Sequence, residues 1–127
     1  MKFKAPDEVL DLSFSPDGTG LLFANKSNDM WFYDSRKNEA PLHKYEGHTD
    51  WVNCCTYDAD GKHILSGSQD RTARLWDAAT ASLVQEYPHK ESVNSVRFFG
   101  HSTVITAQGN RYFKSKTNSM VLWKRKE

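Results

Sequence analysis

Three polar side chains in the middle of the sequence are of the types that hydrolytic enzymes use for nucleophilic catalysis. His48 lies in the segment GHTDW (47–51), and Ser66 and Asp70 lie in the segment SGSQDRTARLWD (66–77). An imidazole that is oriented by a carboxylate can activate a serine hydroxyl, so these residues could form a Ser-His-Asp triad. A triad also needs an exposed serine beside an oxyanion hole and a substrate cleft. Whether that condition holds depends on the elements that carry the three residues.

Those elements belong to an internal repeat with a period of about 41 to 43 residues. The first strand-like segment of each copy is VLDLSFSPDG (9–18), VNCCTYDADG (52–61) or VNSVRFFGHS (93–102). The next segment is LLFANKSNDMWFYD (21–34) or ILSGSQDRTARLWD (64–77), and in the third copy TVITAQGN (103–110) and MVLWK (120–124) with an insertion between them. The last is LHKYEGHTDWV (42–52) or LVQEYPHKESV (83–93). The chain is therefore three copies of one unit.

Each copy alternates short runs of β-branched, aromatic and aliphatic residues with turn residues, and no helical period is present. The sequences SPDG (15–18) and DADG (58–61) are typical of tight turns in which glycine adopts a positive φ. Four strands per copy at this period predict the blades of a β-propeller. The expected fold class is all-β, with three four-stranded blades per chain.

The segments EGHTDWV, SGSQDRTARLWD and the DADG turn resemble a WD40-repeat (WD-repeat) β-propeller unit. The resemblance implies a ring of four-stranded blades in which a His, a Ser or Thr, an Asp and a Trp form a buried hydrogen-bond network. In this sequence those positions are His48, Ser66, Asp70 and Trp76. Ser66 is then expected in the middle of a strand without a glycine-rich elbow, so we expect a structural network and no catalytic residue.

The three copies differ at these four positions. In the third copy His89, Thr106 and Trp123 match, while the Asp position falls near Asn110. In the first copy no such network can form, because Ala5, Phe23, Ser27 and Tyr33 stand at the four positions. The first blade is expected to depend on apolar packing instead. The residues expected to provide it are Leu10, Leu12, Phe14, Leu22, Phe23, Phe32 and Tyr33.

The number of blades leads to a prediction about assembly, because propellers typically have four to eight blades. We expect one domain, 1–127, with repeats at about 6–48, 49–89 and 90–127, and with residues 1–5 as the latching outer strand of the last blade. Exposed blade faces and strand edges favour association. The expected assembly is a homodimer with six blades, with a homotrimer of nine blades, blades from a different subunit, or a fragment of a longer propeller as the alternatives.

Partner-binding residues are expected on the loops of the face that carries the GH segment. Trp51 is the first candidate, since Trp is a common interface hot spot, although it could instead pack on a neighbouring loop. The insertion GNRYFKSKTNS (109–119) combines aromatic rings with positive charge and suits an acidic or phosphorylated peptide, or nucleic acid, although a long hairpin could also be polar and basic simply to stay solvated. The other candidates on this face are Gln69, Arg71, Arg111, Tyr112, Phe113, Lys114 and Lys116.

Composition sets the remaining expectations. The chain has 17 basic and 16 acidic residues and a net charge of +1, so no overall field favours a nucleic acid or a membrane. The basic residues after Glu91 make the third repeat a basic sector. The adjacent Cys54 and Cys55 should point to opposite faces of a strand, and no His is spaced for a metal site. We expect no cofactor, no metal, no membrane segment and an intracellular location, cytoplasmic or nuclear.

The leading functional hypothesis is a non-catalytic scaffold for protein–protein interaction. The alternative is a module that binds nucleic acid or another polyanion through the basic third repeat. The salt dependence of binding distinguishes the two, because polyanion binding weakens steeply with salt.

Overall fold

The structure is a computed structural model that describes residues 5–36, 41–109 and 119–125. These residues form antiparallel β-strands and no helix. The strands are β1 (Val9–Phe14), β2 (Gly20–Asn25), β3 (Met30–Asp34), β4 (His43–Tyr45), β5 (Val52–Tyr57), β6 (His63–Ser68), β7 (Thr72–Asp77), β8 (Leu83–Pro88), β9 (Val93–Phe99), β10 (Thr103–Gln108) and β11 (Ser119–Lys124).

The strands form one sheet per repeat. Within each sheet, strands that are consecutive in the chain lie next to each other. Sheet I is β1-β2-β3-β4, sheet II is β5-β6-β7-β8, and sheet III is β9-β10-β11. The turns that join the first two strands of sheets I and II contain Gly18 (φ 76°) and Gly61 (φ 75°). The predicted all-β fold with blade-like sheets is confirmed, and so is the positive φ of both turn glycines.

The predicted fourth strand of the last blade falls mostly on residues outside the described part of the chain. Residues 1–4 are not among the described ranges, and Ala5 is not in a strand. Sheet III therefore has three strands among the described residues. The latching role of residues 1–5 stays a prediction.

The three sheets stack in order, and an apolar core fills each of the two junctions. The junction between sheets I and II contains Leu22, Ala24, Met30, Tyr45, Val52, Cys55, Ile64 and Trp76. The junction between sheets II and III contains Cys54, Leu65, Ala73, Leu75, Tyr87, Val93, Val96 and Val104. Cys54 and Cys55 lie in different junctions, as side-chain alternation along a strand requires, and both are thiols.

Hydrogen bonds also join neighbouring sheets across the junctions. Between sheets I and II, the backbone N–H of Cys55 donates to Asp11 Oδ2 (3.1 Å). Between sheets II and III, Asn53 Nδ2 donates to the carbonyl oxygen of Val93 (3.1 Å). Each junction therefore combines apolar contact with a hydrogen bond between named positions of the two sheets, and these bonds satisfy the polar groups where the sheets meet.

The expected packing of the first sheet is wrong at two positions. Leu22, Phe23 and Tyr33 are buried, but Leu12 and Phe14 are 51% and 59% exposed. Leu12 pairs with Phe23 and Phe14 with Leu21, so both lie on the face of sheet I that points away from sheet II. Among the described residues no further sheet covers that face.

Candidate functional site

The polar residues singled out in the second repeat meet at the end of sheet II where β5 begins. His48 Nδ1 lies 2.7 Å from Asp70 Oδ2, and His48 Nε2 lies 2.7 Å from Ser66 Oγ. Trp76 Nε1 donates to the same Ser66 oxygen at 2.9 Å. The indole can only donate, so Ser66 Oγ accepts from Trp76 and its own hydrogen can go to His48 Nε2. A hydrogen on His48 Nδ1 then reaches Asp70, and every polar atom of the set is satisfied.

The Asp70 carboxylate organises the turn between β6 and β7. Its Oδ2 also accepts the backbone N–H of Thr49 (3.1 Å). Its Oδ1 accepts the backbone N–H and the hydroxyl of Thr72 (2.9 and 2.6 Å). Burial acts to raise the pKa of Asp70, but the hydrogen bonds from His48 and Thr72 outweigh burial and hold it well below the usual range. Asp70 is therefore an anion that accepts four hydrogen bonds.

This set lacks the exposure that a hydrolytic triad needs. Ser66 is fully buried, and the side chains of His48 and Asp70 are 0% and 5% exposed. A nucleophilic serine needs access for the substrate carbonyl and donors for the oxyanion. The Ser66 hydroxyl is enclosed between two sheets and is occupied by His48 and Trp76.

The third sheet carries a related arrangement with a different acceptor. His89 Nε2 lies 2.6 Å from Thr106 Oγ1, and Trp123 Nε1 donates to the same oxygen at 3.0 Å. His89 Nδ1 donates to the carbonyl oxygen of Tyr87 (2.8 Å). The position expected near Asn110 lies outside the described residues. Burial lowers the pKa of His89, and the Tyr87 carbonyl opposes that effect only in part.

In the first sheet, aromatic rings stand at the corresponding positions. Phe23 and Tyr33 have ring centroids 5.5 Å apart. Ser27, at the Asp position, donates its backbone N–H to Asn25 Oδ1 (2.7 Å). These residues make no network of the kind seen in sheet II, because the His and hydroxyl positions hold Ala5 and Phe23.

Three of the partner-binding candidates lie together at the end of sheet II that carries His48. Trp51 is half-buried, and Lys26 Nζ lies 4.3 Å from the centroid of one of its rings. Gln69 Oε1 accepts from Asn53 Nδ2 (3.2 Å), and the backbone N–H of Gln69 donates to the Trp51 carbonyl (2.9 Å). Arg71 is exposed, with a left-handed φ of 71°. These contacts connect Trp51 to Lys26 after β2 and to Gln69 after β6. Arg71 faces solvent.

The other candidates cannot be placed, since Arg111, Tyr112, Phe113, Lys114 and Lys116 lie outside the described residues. Recognition of an acidic partner or a nucleic acid by the insertion therefore stays a prediction. In the described part of the chain, no three His, Cys, Asp or Glu residues are grouped to hold a metal ion. The same residues include no helix long and apolar enough to cross a bilayer.

Each of the two terminal sheets has an outer face with exposed apolar side chains, as expected from the sequence for blades without a neighbour. The outer face of sheet I, which points away from sheet II, carries the exposed Leu12 and Phe14, the half-buried Leu21 and Trp31, and the buried Phe23 and Tyr33. The outer face of sheet III, which points away from sheet II, includes Phe99, Ile105, Met120 and Leu122. Large exposed apolar surfaces of this kind mark interaction sites.

Known proteins share this sequence pattern. Residues 39–77 match the model of the family "WD domain, G-beta repeat". The chain is 35% identical over 95 residues to "Intraflagellar transport protein 122 homolog" of Mus musculus, covering 75% of this chain and 8% of that protein. It is 32% identical over 92 residues to "Target of rapamycin complex subunit wat1" of Schizosaccharomyces pombe (72% and 29%). It is 34% identical over 100 residues to "Serine-threonine kinase receptor-associated protein" of Mus musculus (77% and 28%).

The matched segments span less than a third of the length of each of these relatives. The family match covers all of β4 to β7, including the residues that carry the buried network of sheet II. The repeated antiparallel sheets have the architecture that this family pattern predicts. On this sequence match and this fold, the chain belongs to the WD40-repeat family.

Proposed function

We propose that this chain is a non-catalytic scaffold for protein–protein interaction, and that its three sheets are blades of a propeller completed by a second copy of the chain. The names of its relatives support the first part. One is a subunit of a target of rapamycin complex, and another is a receptor-associated protein. WD40 blades give such proteins a rigid frame on which binding loops are held.

The observation that carries the assembly is a difference in burial between equivalent positions. Leu75 in β7 and Leu122 in β11 occupy the same position of the repeat. Each comes directly before the Trp of its copy, Trp76 or Trp123. Leu75 is 1% exposed because sheet III covers it, whereas Leu122 is 67% exposed. Met120, two residues earlier, is 75% exposed, while its counterpart Ala73 is fully buried. Burying side chains of this size gives roughly 1.5–3 kcal/mol each.

The two outer faces are also complementary in type. Within the chain, the face of sheet I that carries Leu22 packs on the face of sheet II that carries Trp76, and sheets II and III repeat this arrangement. The outer face of sheet III corresponds to the Leu22 face of sheet I. The outer face of sheet I corresponds to the Trp76 face of sheet II. A contact between unlike faces is heterologous and closes into a ring when the rotation allows it. Two copies give six sheets, within the usual range of four to eight blades.

The mass of the protein in dilute solution tests this proposal. We expect twice 14.6 kDa by sedimentation equilibrium. The double variant Met120→Lys, Leu122→Lys places charges on the outer face of sheet III and should lower the mass to that of one chain. The matched control is Val84→Lys, which adds a charge at an exposed apolar residue of sheet II, outside both outer faces.

A stable, monodisperse wild-type monomer would contradict the assembly while leaving the scaffold role open. A mass of three chains would replace the dimer by the nine-bladed trimer. A complex that forms only with a different polypeptide would assign the missing blades to that partner.

A further inference from the structure

A cleft of about 260 Å³ opens between sheets I and II, at the end of the sheets opposite the His48–Asp70 turn. Aromatic side chains of both sheets line it, namely Phe32, His43, Tyr45 and Tyr57, and Asp17 and Ala78 also contribute to the lining. Its volume is below the roughly 300–1,000 Å³ of sites that hold drug-sized ligands. The cleft is therefore of a size for a single long side chain.

The equivalent place between sheets II and III is filled by an arginine of this chain. Arg125 occupies the repeat position of Ala78, because each follows its Trp by two residues. Both make the same backbone hydrogen bond, from Ala78 to the Lys62 carbonyl (2.9 Å) and from Arg125 to the Ser102 carbonyl (2.7 Å). The Arg125 guanidinium carbon lies 5.7 Å from the ring centroid of Phe98, which is the repeat counterpart of Tyr57.

Polar contacts hold the guanidinium of Arg125, which is half-buried, in place. Arg125 Nη1 donates to the His101 carbonyl (3.1 Å), and Nη2 lies 3.2 Å from His63 Nδ1. The junction between sheets II and III thus shows how an arginine is accommodated at this position: over an aromatic ring of one sheet and against a polar residue of the other.

The cleft between sheets I and II is open because the two filling side chains are missing there. Ala78 replaces Arg125, and Gly20 replaces His63 as the first residue of the second strand. A Cβ on Gly20 would clash with Phe32 Cε2, so glycine lets the Phe32 ring lie against the backbone. The aromatic ring is still present in this cleft, because Tyr57 lines it at the position of Phe98.

The cleft also carries a negative charge suited to a cation. Asp17 Oδ1 accepts the Ser15 hydroxyl (2.6 Å), the Thr19 backbone N–H (3.0 Å) and the Thr19 hydroxyl (2.8 Å). These hydrogen bonds lower the pKa of Asp17 to about 2, so its carboxylate is ionised at neutral pH. No Lys or Arg is present among the described residues that line the cleft.

We propose that this cleft binds an arginine side chain of a partner polypeptide, with its guanidinium over the Tyr57 ring and paired with the Asp17 carboxylate. The site extends the proposed scaffold function by naming the chemistry of one partner. It does not depend on ring closure, since its lining comes from sheets I and II of one chain. Arginine is favoured over lysine because a planar guanidinium is more weakly hydrated, stacks on a ring and pairs with a carboxylate at the same time.

The test is an NMR titration of the ¹⁵N-labelled full chain with N-acetyl-arginine methylamide. We expect saturable shifts of the backbone amides of Thr19, Gly61, Ala78 and Ala79. The citrulline analogue, which is neutral and has nearly the same shape, should give no saturable shift. Asp17→Asn keeps the Oδ1 acceptor and removes the charge, and it should weaken binding by roughly fivefold, as expected for an exposed ion pair. The charge-matched control is Asp50→Asn, which should bind like the wild type. Asp50 precedes β5 and lies at the other end of sheet II from the cleft.

A second variant tests the repeat argument directly. Ala78→Arg supplies the arginine in the position that Arg125 occupies in the next junction, and it should abolish binding of the probe while the folded spectrum is retained. Equal binding of the citrulline or lysine analogue would overturn the assignment, as would equal affinities of the Asp17→Asn and Asp50→Asn variants. The solution mass is measured on the same samples, so a failed assembly and a failed arginine site give different results.

Discussion

Each ring nitrogen of His48 and His89 has a hydrogen-bond partner. The kind of partner decides how much stability the protein loses when that partner is removed. Asp70 accepts from the imidazole of His48 and from Thr49 and Thr72, so one carboxylate satisfies donors of three residues. In sheet III the backbone carbonyl of Tyr87 takes the place of the carboxylate. A carbonyl dipole stabilises a charged imidazole less than a carboxylate does.

The first prediction concerns Asp70→Ala. The substitution leaves the His48 Nδ1–H and two backbone N–H groups without their acceptor, and unsatisfied buried donors cost about 1–3 kcal/mol. We expect the free energy of unfolding in urea at pH 7 to fall by that amount. The control is Asp7→Ala, because Asp7 is exposed and its carboxylate accepts a hydrogen bond from the backbone N–H of the neighbouring Glu8. Unfolding midpoints that coincide for the two variants would count against a stabilising network.

The second prediction concerns pH. Burial lowers the pKa of His89 below its ordinary value of 6.5 in the folded state, so the unfolded chain binds more protons than the folded chain as pH falls toward and below 6.5. This contribution to stability is present above pH 6.5 and is lost as pH falls toward the folded pKa. We expect the unfolding free energy to drop between pH 7.5 and pH 5.5, and to drop less in His89→Gln. A pH dependence identical in the two proteins would show that His89 does not titrate in this way.

At the scale of strands and sheets, the repeat made much of the fold predictable. The strand boundaries follow from alternating apolar segments and from turns with glycine, and the opposite directions of Cys54 and Cys55 follow from the pleat of a strand. The network of His48, Ser66, Asp70 and Trp76 was what the resemblance to WD40 repeats implied, and the structure brings these four side chains together. The acceptor role of Tyr87 could not be predicted, because every residue carries a carbonyl and its sequence says nothing about where that carbonyl points.

Features that depend on how sheets meet were also beyond the sequence. Leu12 and Phe14 have the same apolar character as Leu22, yet they lie on the other face of sheet I and are exposed, whereas Phe23 on that same face is buried. The cleft between sheets I and II exists because Gly20 and Ala78 lack the side chains that His63 and Arg125 place in the next junction. Such a comparison requires knowing which positions face each other across a junction.

For the whole molecule, the central question is whether unlike faces pair between copies. In a closed ring of two copies, each interface joins the outer face of sheet I of one copy to the outer face of sheet III of the other. In an isologous dimer, by contrast, one face pairs with itself. Both arrangements have the mass of two chains, so the mass alone does not distinguish them.

Two complementary variants distinguish them. One variant carries Leu12→Lys and Phe14→Lys on the outer face of sheet I, and the other carries Met120→Lys and Leu122→Lys on the outer face of sheet III. For the head-to-tail ring, each variant alone should be monomeric, because every interface then contains a charged face. An equimolar mixture should form a heterodimer joined through one interface, since the unmodified face of sheet III in the first variant can pack on the unmodified face of sheet I in the second, while the joint between the two charged faces stays open. Sedimentation of the two variants separately and mixed measures this, and a variant that dimerises alone would favour the isologous contact.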